Sequence, residues 1–251
     1  MRYNVICEKV VGIKNIFRKK DSQDSYKYIE SEDFIIACVC DGHSTDFFEN
    51  SKVGAVIGCE CFINESIKIL NYNNYLDNNI VSYLKDNIYS SWMEKVRTHY
   101  YTNNFKVRKV EYIKYSTTMV GIIITNEKLV VIRVGDGNVV IKEDNYYKYI
   151  FRNSQNRIVD SLGRFESDSF FIKKIYNIDN KNIKHISIFS DGYENSFSKY
   201  TDLYKNLESV YKRYMKNVFT RKRFINSYNN EIKELSTKNR YDDISIIHLI
   251  G

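Results

Sequence analysis

Short apolar runs alternate with longer amphipathic stretches along this chain. Nine of the short runs are rich in β-branched and aromatic residues, and most are bounded by Gly, Asn or Asp, a pattern that predicts β-strands. They are Tyr3–Val11, Phe34–Cys40, Thr117–Thr125, Leu129–Val134, Val139–Ile141, Tyr146–Phe151, Phe170–Tyr176, Ile183–Ser190 and Ile244–Ile250. Two of them, the second and the third, are apolar throughout rather than alternating, which is typical of central strands covered on both faces.

Four longer stretches have the spacing of amphipathic helices. They are Lys52–Leu70, Leu76–His99, Asp202–Asn217 and Phe219–Leu235. Two helices thus follow the early strands and two precede the last one, and this grouping predicts an α+β domain with sheets in the middle and helices outside. No repeat, low-complexity tract or linker interrupts the pattern, so we expect one domain over residues 1–251.

Composition narrows the class of protein. Hydrophobic residues make up 43% of the chain and aromatic residues 15%, which is enough to bury a core and excludes wholesale disorder. No apolar run approaches the roughly 20 residues that a membrane helix needs. The five cysteines are an odd number in a chain without a signal-peptide pattern, so we expect reduced thiols and a soluble cytoplasmic protein.

Carboxylates concentrate at the ends of the predicted strands. Three strands end in Asp-Gly, at Asp41, Asp136 and Asp191, and the pair Asp242-Asp243 precedes the last strand. If several of these ends converge, they would form an oxygen-rich site suited to Mg²⁺ or Mn²⁺ rather than to Zn²⁺. The alternative is that Asp-Gly is a hairpin turn. That alternative suits Asp136, because a strand follows it at once, whereas helical sequence follows the other two pairs.

The order of these motifs resembles the metal-dependent protein phosphatases of the protein phosphatase 2C type, in a divergent branch similar to bacterial members. The matching segments are Ser22–Ser25, Asp41–His43 with Gly54–Ala55 downstream, Ser116–Thr118, Val134–Gly137, Ser190–Gly192 and Asp242–Ser245. Each is weak alone, but six in the family's order over residues 22–245 are specific.

The resemblance implies a central β-sandwich of two mainly antiparallel sheets flanked by helix pairs, with a site for two Mn²⁺ or Mg²⁺ ions at one end. The family's bridging carboxylate and backbone carbonyl fall on Asp41 and Gly42. Its later metal-binding aspartates fall on Asp191 and Asp242. Asp24 matches an acidic position that holds metal-bound waters, and the aspartate at 136 would be structural.

The implied activity is hydrolysis of phosphoserine and phosphothreonine in proteins by a metal-activated water, without a phosphoenzyme. His43 could protonate the departing alkoxide, or it could be an exposed or merely hydrogen-bonded histidine. The family's phosphate-binding arginine position holds Lys19, beside Arg18, so either cation could hold the phosphate. The basic run at this position could equally be a solvated patch.

Two departures from the family pattern favour an alternative function. Lys114 stands where bacterial relatives often carry an aspartate for a third metal ion, so a third ion is doubtful unless Glu111 or Asp160 substitutes. Lysine instead of arginine at position 19 is the second departure. The alternative is a catalytically weak domain that binds a phosphoprotein or a kinase, and the retention of the core aspartates counts against it.

Two Cys-x-Cys pairs raise the possibility of a zinc site. Cys38 and Cys40 share one face of a strand, but Cys59 and Cys61 point about 200° apart on a helix and cannot easily share an ion. We therefore expect buried thiols.

The remaining features carry no chemistry of their own. The other three histidines, His99, His185 and His248, lie in helix or strand segments and are interpreted as structural. The net charge of +7 comes from scattered residues, and the Arg221–Arg223 cluster is expected to be a solvated helix face. We expect a phosphorylated protein as substrate, a cognate serine/threonine kinase as a candidate partner, no nucleic acid, no membrane and a monomer.

Overall fold

Ten strands and six α-helices are formed by the residues that the computed structural model describes, namely 3–72, 75–103, 109–151, 160–164, 171–178, 182–237 and 242–251. The strands are β1 (Asn4–Val10), β2 (Ser25–Glu30), β3 (Phe34–Cys40), β4 (Met119–Thr125), β5 (Lys128–Val134), β6 (Asn138–Glu143), β7 (Tyr146–Tyr149), β8 (Ile172–Asn177), β9 (Ile183–Phe189) and β10 (Ile244–Ile250). The helices are α1 (Ile13–Phe17), α2 (Ser51–Tyr72), α3 (Asn78–Asn103), α4 (Asp191–Glu194), α5 (Tyr200–Lys216) and α6 (Val218–Ser236).

The strands form two five-stranded sheets. Sheet A has the order β1-β10-β9-β6-β7, and sheet B has the order β2-β3-β4-β5-β8. All described strand pairs in both sheets are antiparallel. The predicted α+β sandwich of two antiparallel sheets is confirmed.

Three apolar layers hold the sheets and helices together. One lies between the two sheets, one between sheet B and the helices α2 and α3, and one between sheet A and the helices α5 and α6. Buried side chains in these layers are, respectively, Ile122 and Leu249, Phe62 and Trp92, and Leu207 and Phe224. Within the described ranges, no helix is both long and apolar enough to cross a membrane.

The predicted strands and long helices all form, apart from small differences at their ends. Phe170, the first residue of one predicted strand, lies outside the described residues. The strand β2 and the short helix α1 were not predicted. The strand β2 is largely exposed on the edge of sheet B, so no apolar pattern marks it, and α1 has only five residues, too few for a helical period.

The turn at Asp136–Gly137 is not the hairpin that the sequence predicts. The strand β5 before it pairs with β4 and β8 in sheet B, whereas β6 after it pairs with β7 and β9 in sheet A. The chain therefore crosses from one sheet to the other here. Gly135 has φ +92°, and a Cβ on it would lie 2.7 Å from the carbonyl oxygen of Asp160. Glycine at 135 thus permits this tight crossing.

Candidate active site

The predicted carboxylates come from both sheets. Asp41 follows β3 of sheet B, Asp24 precedes β2 of the same sheet, Asp191 follows β9 of sheet A, and Asp242 lies two residues before β10. Negative charges on four aspartates act on the carboxyl of Asp41; they belong to Asp24, Asp191, Asp136 and Asp242. The structure thus brings together all the aspartates of the predicted metal site, and adds Asp136.

The backbone around Asp41 is held by the start of β4. The hydroxyl of Thr117 and the N–H of Thr118 both donate to the carbonyl oxygen of Asp41 at 2.8 Å. Gly42 forms a β-bridge with Thr117. A Cβ on Gly42 would lie 2.7 Å from the carbonyl oxygen of Gln23, so the absent side chain lets the segment before β2 approach the turn after β3.

The other two aspartates are placed by the ends of neighbouring strands. Ser190, which follows β9, donates its N–H to the carbonyl oxygen of Ser245 at 3.0 Å. Its hydroxyl oxygen accepts from the N–H of Ser245, also at 3.0 Å. Because Asp191 follows this junction and Asp242 precedes it, both carboxylates are carried to the same end of sheet A.

Asp243 is an anchor that sequence analysis did not identify. Its carboxylate accepts hydrogen bonds from the N–H of Gly12 at 2.7 Å, the N–H of Gln23 at 2.7 Å and the side-chain amide of Asn15 at 2.9 Å. A Cβ on Gly192 would lie 1.9 Å from the carbonyl oxygen of Asp243. The residue therefore joins the N-terminal segment, the turn after β9 and the start of β10. Its position beside Asp242 gave no signal of this role.

Asp24 is buried with both carboxylate oxygens unpaired. It is 1% exposed, and no hydrogen bond of good geometry reaches either oxygen among the residues that the structure describes. Burial, and then the negative charge of Asp243, raise the pKa of Asp24 well above its usual range, although the nearby hydroxyl of Ser190 offsets part of this rise. A buried carboxylate without partners is costly unless a proton or a cation neutralises it.

The same physical effects act on Asp41. Some of its surface stays accessible to solvent, but protein encloses most of it. Burial and then the charges of the surrounding aspartates raise the pKa of Asp41 well above its usual range. Several carboxylate oxygens with mutual repulsion are the donor set that hard divalent cations prefer, so these residues fit Mg²⁺ or Mn²⁺.

Asp136 belongs to this region as well as to the turn between the sheets. It lines a cleft of about 670 Å³ together with Asp191 and Glu194. Its charge also acts on the buried guanidinium of Arg133. The Asp-Gly strand end that marks Asp41 marks Asp136 too, so the signal was present in the sequence, but the hairpin interpretation removed this residue from the predicted site.

His43 lies beside this region in an apolar setting. Its ring packs on Phe48 with 4.5 Å between the ring centroids, and its Nε2 is buried without a hydrogen-bond partner. Burial, and then the positive charge of Arg164, lower the pKa of His43. The ring is therefore neutral near pH 7, and a role as general acid requires it to gain a proton first.

The two candidate phosphate-binding cations lie at the exposed end of α1. Arg18 donates from Nη1 to the carbonyl oxygen of Ser44 at 3.1 Å, which joins α1 to the loop after His43. Lys19 is exposed in a left-handed backbone conformation with φ 55°. Arg18 is thus the one of the two with a described contact to the loop that carries His43.

Lys114 is engaged in two ion pairs. Its Nζ lies 2.9 Å from Glu111 and 3.0 Å from Glu49. The hydrogen bond to Glu111, and then that to Glu49, raise the pKa of Lys114. Glu111, one candidate to replace the missing third-metal aspartate, is thus already paired with this lysine.

The other three histidines make internal contacts, as expected of structural residues. His99 Nδ1 lies 2.8 Å from the hydroxyl of Tyr115. His185 and His248 are fully buried and lie 3.0 Å apart, Nε2 to Nδ1, between sheet A and the helices that cover it.

Solved structures that include two serine/threonine phosphatases share this fold. The serine/threonine phosphatase Stp1 from Staphylococcus aureus superposes with a TM-score of 0.63 at 13% identity, over 100% of this chain and 96% of the Stp1 chain. The serine-threonine phosphatase 2C from Toxoplasma gondii gives 0.61 at 9% identity over 99% and 94% of the two chains. RsbX in complex with magnesium gives 0.56 at 12% identity over 99% and 96%.

Sequence comparison identifies the family. No curated protein sequence matches the chain significantly. Residues 11–243, however, match the family described as Protein phosphatase 2C, which covers the carboxylate cluster and nearly the whole fold. The chain belongs to the protein phosphatase 2C family and is a metal-dependent serine/threonine protein phosphatase.

Proposed function

We propose that the carboxylate cluster is the catalytic centre of this phosphatase, and that Asp41, the carbonyl of Gly42, Asp191 and Asp242 hold two Mg²⁺ or Mn²⁺ ions there. The observation that carries the proposal is the convergence on Asp41 of mutually repelling carboxylates from both sheets. When bound, two such ions lower the pKa of a shared water and make it a nucleophile towards phosphorus.

The ligand aspartates also decide whether substrate can approach. Three carboxylates without cations would repel a phosphate dianion. With two divalent cations their charge is more than balanced, so the cluster accepts the anion. Asp24 is buried behind this cluster and is proposed to hold water rather than to touch substrate, since its unpaired oxygens are free to accept hydrogen bonds.

Arg18 and Lys19 are proposed to attract the phosphorylated side chain. Both are exposed cations at the end of α1, and Arg18 already contacts the loop after His43. Arginine can bind phosphate through two parallel hydrogen bonds, which a lysine cannot do. We therefore expect Arg18 to hold the phosphate and Lys19 to add charge near the entrance.

His43 is proposed to protonate the departing serine or threonine oxygen. Its lowered pKa means that only a minor fraction of the ring is charged at pH 7, so this contribution grows as the pH falls. A phosphate dianion bound nearby would favour the protonated ring.

The decisive experiment measures hydrolysis of a phosphopeptide and of p-nitrophenyl phosphate by the purified chain in EDTA, Mg²⁺ or Mn²⁺. Asp41→Asn is compared with Asp144→Asn, a matched change at an exposed aspartate in the turn between β6 and β7. We expect turnover to require a cation and to be lost in Asp41→Asn alone. Full turnover by Asp41→Asn would place the catalytic centre elsewhere.

The alternative of a catalytically weak binding domain is not favoured, because the metal-site aspartates are all retained and meet in one region. The choice between Mg²⁺ and Mn²⁺, the presence of two ions, a cognate kinase as partner, the monomeric state, the lack of nucleic-acid or membrane binding and the cytoplasmic location stay predictions.

A further inference from the structure

Three of the five cysteines converge inside the core, directly behind Asp41. Cys38 and Cys40 lie on β3, and Cys59 lies on α2. Each is at most 1% exposed, and the three Sγ atoms lie within 4.8 Å of one another. The Sγ atoms of Cys38 and Cys40 are 3.9 Å apart. All three are free thiols.

The trio forms because a strand and a helix face each other across the core. Residues two apart on a strand share a face, so Cys38 and Cys40 both point towards α2. Glycine at position 58 of α2 provides the space, since a Cβ there would lie 2.9 Å from the Sγ of Cys40. Cys61 is not part of the trio, as expected from the helical period. The register between β3 and α2 is not recorded in any sequence pattern, so the two Cys-x-Cys pairs did not reveal the trio.

The spacing of the sulfurs matches a three-coordinate site. With bonds of about 2.3 Å from an ion to each sulfur, a planar trigonal arrangement separates the sulfurs by about 4.0 Å, and a pyramidal arrangement, as in trivalent arsenic, brings them closer. The observed 3.9 Å between two of them is near the planar value, so a pyramidal ion would draw the sulfurs together. In the part of the chain that the structure describes, no fourth Cys, His, Asp or Glu joins the group. Structural zinc almost always takes four ligands, so the trio suits a softer ion that accepts three.

Burial decides the charge of that ion. The trio lies in the apolar layer between sheet B and the helices α2 and α3, where a net charge is costly. Three thiolates carry three negative charges, so only a trivalent ion leaves a neutral complex. We propose that Cys38, Cys40 and Cys59 form a three-thiol site for a trivalent thiophilic ion, for which arsenous acid is the probe.

The reaction with this probe balances without an oxidant. Arsenous acid, As(OH)₃, reacts with three thiols to give As(SR)₃ and three waters. Each As–O bond is replaced by an As–S bond, and each thiol proton leaves with a hydroxyl group as water. Arsenic stays trivalent, and both reactants and products are neutral, as the dry core requires.

The position of the trio gives it a consequence for the enzyme. Cys40 is the chain neighbour of Asp41, whose carbonyl oxygen accepts hydrogen bonds from Thr117 and Thr118, just before β4. Drawing the three sulfurs onto one ion would therefore strain the backbone that holds Asp41. This consequence rests on the proposed function, whereas the binding itself does not.

The test measures binding of arsenite and Zn²⁺ to the reduced chain by native mass spectrometry and calorimetry. Because the thiols are buried, each probe is added both to the folded chain and during refolding from urea. We expect one arsenic per chain, bound more tightly than Zn²⁺. In the wild type, bound arsenite should protect the trio, but not Cys7, from alkylation on brief unfolding.

Variants locate the site. Cys59→Ala should lower arsenite affinity by about 100-fold, because one of three linked bonds is lost. Cys61→Ala, from the same helix, should leave it unchanged. Gly58→Ala keeps every thiol but pushes on Cys40, so it should weaken binding without removing a ligand. Variants are compared only where their circular dichroism matches that of Cys61→Ala.

Three results would overturn the proposal. They are absence of stoichiometric arsenite binding in both loading protocols, equal protection of Cys7 and the trio in the wild type, and tighter binding of Zn²⁺ than of arsenite. The first two can be read from the wild type alone, so an unstable variant does not decide the outcome. Since each readout is binding or alkylation, failure of the phosphatase assay would not be mistaken for failure of this site.

Discussion

The His185–His248 pair and the aspartate cluster around Asp41 are two groups of titratable side chains enclosed by protein, and they differ in how their polar atoms are paired. In sheet A, His185 and His248 each have both ring nitrogens within hydrogen-bond distance of a partner. His185 Nδ1 lies 3.1 Å from the hydroxyl of Tyr147, His248 Nε2 contacts the hydroxyl of Tyr228, and the Ser187 hydroxyl lies 3.0 and 2.9 Å from the two remaining nitrogens. Burial keeps both rings neutral, and every polar atom in them is paired.

The aspartate cluster, by contrast, is not fully paired. Asp24 has two buried oxygens without partners, and Asp41 is surrounded by like charges. A shifted pKa does not separate the two clusters, because burial also lowers the pKa of His248 to about 3. The two clusters differ instead in how completely their polar atoms are hydrogen-bonded. A fully paired network stabilises a fold, whereas buried like charges need an external partner and so mark a binding site.

The strongest way to break this comparison is to remove one charge from the aspartate cluster. Asp191→Asn should lower kcat/KM for a phosphopeptide about 1,000-fold, because a proposed metal ligand is lost and each factor of ten corresponds to about 1.4 kcal/mol. Steady-state kinetics at saturating Mn²⁺, with Asp144→Asn as the control, measures the effect. An unchanged rate would contradict the site assignment.

The paired histidines should instead control stability towards acid. The folded-state pKa values of both histidines are lowered. Below the unfolded pKa of about 6.5, only the unfolded chain therefore takes up protons on these rings. The free energy of unfolding consequently decreases as the pH is lowered. Each histidine contributes a slope of up to about 1.4 kcal/mol per pH unit between pH 6.5 and its folded pKa. Urea unfolding at several pH values measures it.

The control for this slope is His248→Leu, which removes one titrating ring. We expect this variant to be less stable at pH 7 but to lose stability less steeply between pH 6.5 and 5. Comparing the two slopes cancels the contribution of the aspartates. Equal slopes would show that the network does not govern acid stability.

His43 sharpens the comparison, because it is the histidine whose buried nitrogen lacks a partner. His43→Ala should slow a phosphopeptide about 10- to 100-fold but leave p-nitrophenyl phosphate nearly unchanged, since that leaving group needs little protonation. In the wild type, the ratio of the two rates should fall as pH rises, because the protonated ring is lost. His99→Ala is the control, and equal losses on both substrates would remove the acid role.

The smallest effect is a gain in stability when the cluster loses a charge. In EDTA, Asp41→Asn should raise the melting temperature at pH 7 by several degrees. In a chain of this size, each kcal/mol gained in the free energy of unfolding raises the melting temperature by about 2–4 °C. A raised folded pKa costs stability above the unfolded pKa of about 3.9 and costs nothing below it, so the gain should vanish near pH 3.5. Thermal melts at both pH values test this, and a destabilised Asp41→Asn would contradict the proposed repulsion.

The predictability of the fold varied with burial. Strands whose sequence is an apolar run, above all β3 and β4, could be predicted from that run. The edge strand β2 was not, because its side chains are mostly exposed and its order comes from pairing with β3. The predicted hairpin at Asp136 failed for a related reason, since local sequence does not record which sheet the next strand joins.

Local chemistry also marked much of the candidate site. Asp41, Asp191 and Asp242 were found because a carboxylate at the end of an apolar strand is a local pattern. The role of Asp243 depends on Gly12, Asn15 and Gln23, which are more than 200 positions away in sequence. No local pattern could indicate those hydrogen bonds.

The amino-acid sequence by itself determined which segments become the apolar strands and the long helices, which carboxylates end the strands, and the family to which the chain belongs. These features depend on hydrophobic period and on neighbouring residues. The tertiary structure alone decided that Asp136 lies with the catalytic candidates, that Asp243 is an anchor, that the histidines pair with each other, and that three cysteines meet behind Asp41. Each of these depends on the register and packing between distant elements, where contact distance rather than sequence distance sets charge repulsion and hydrogen bonding.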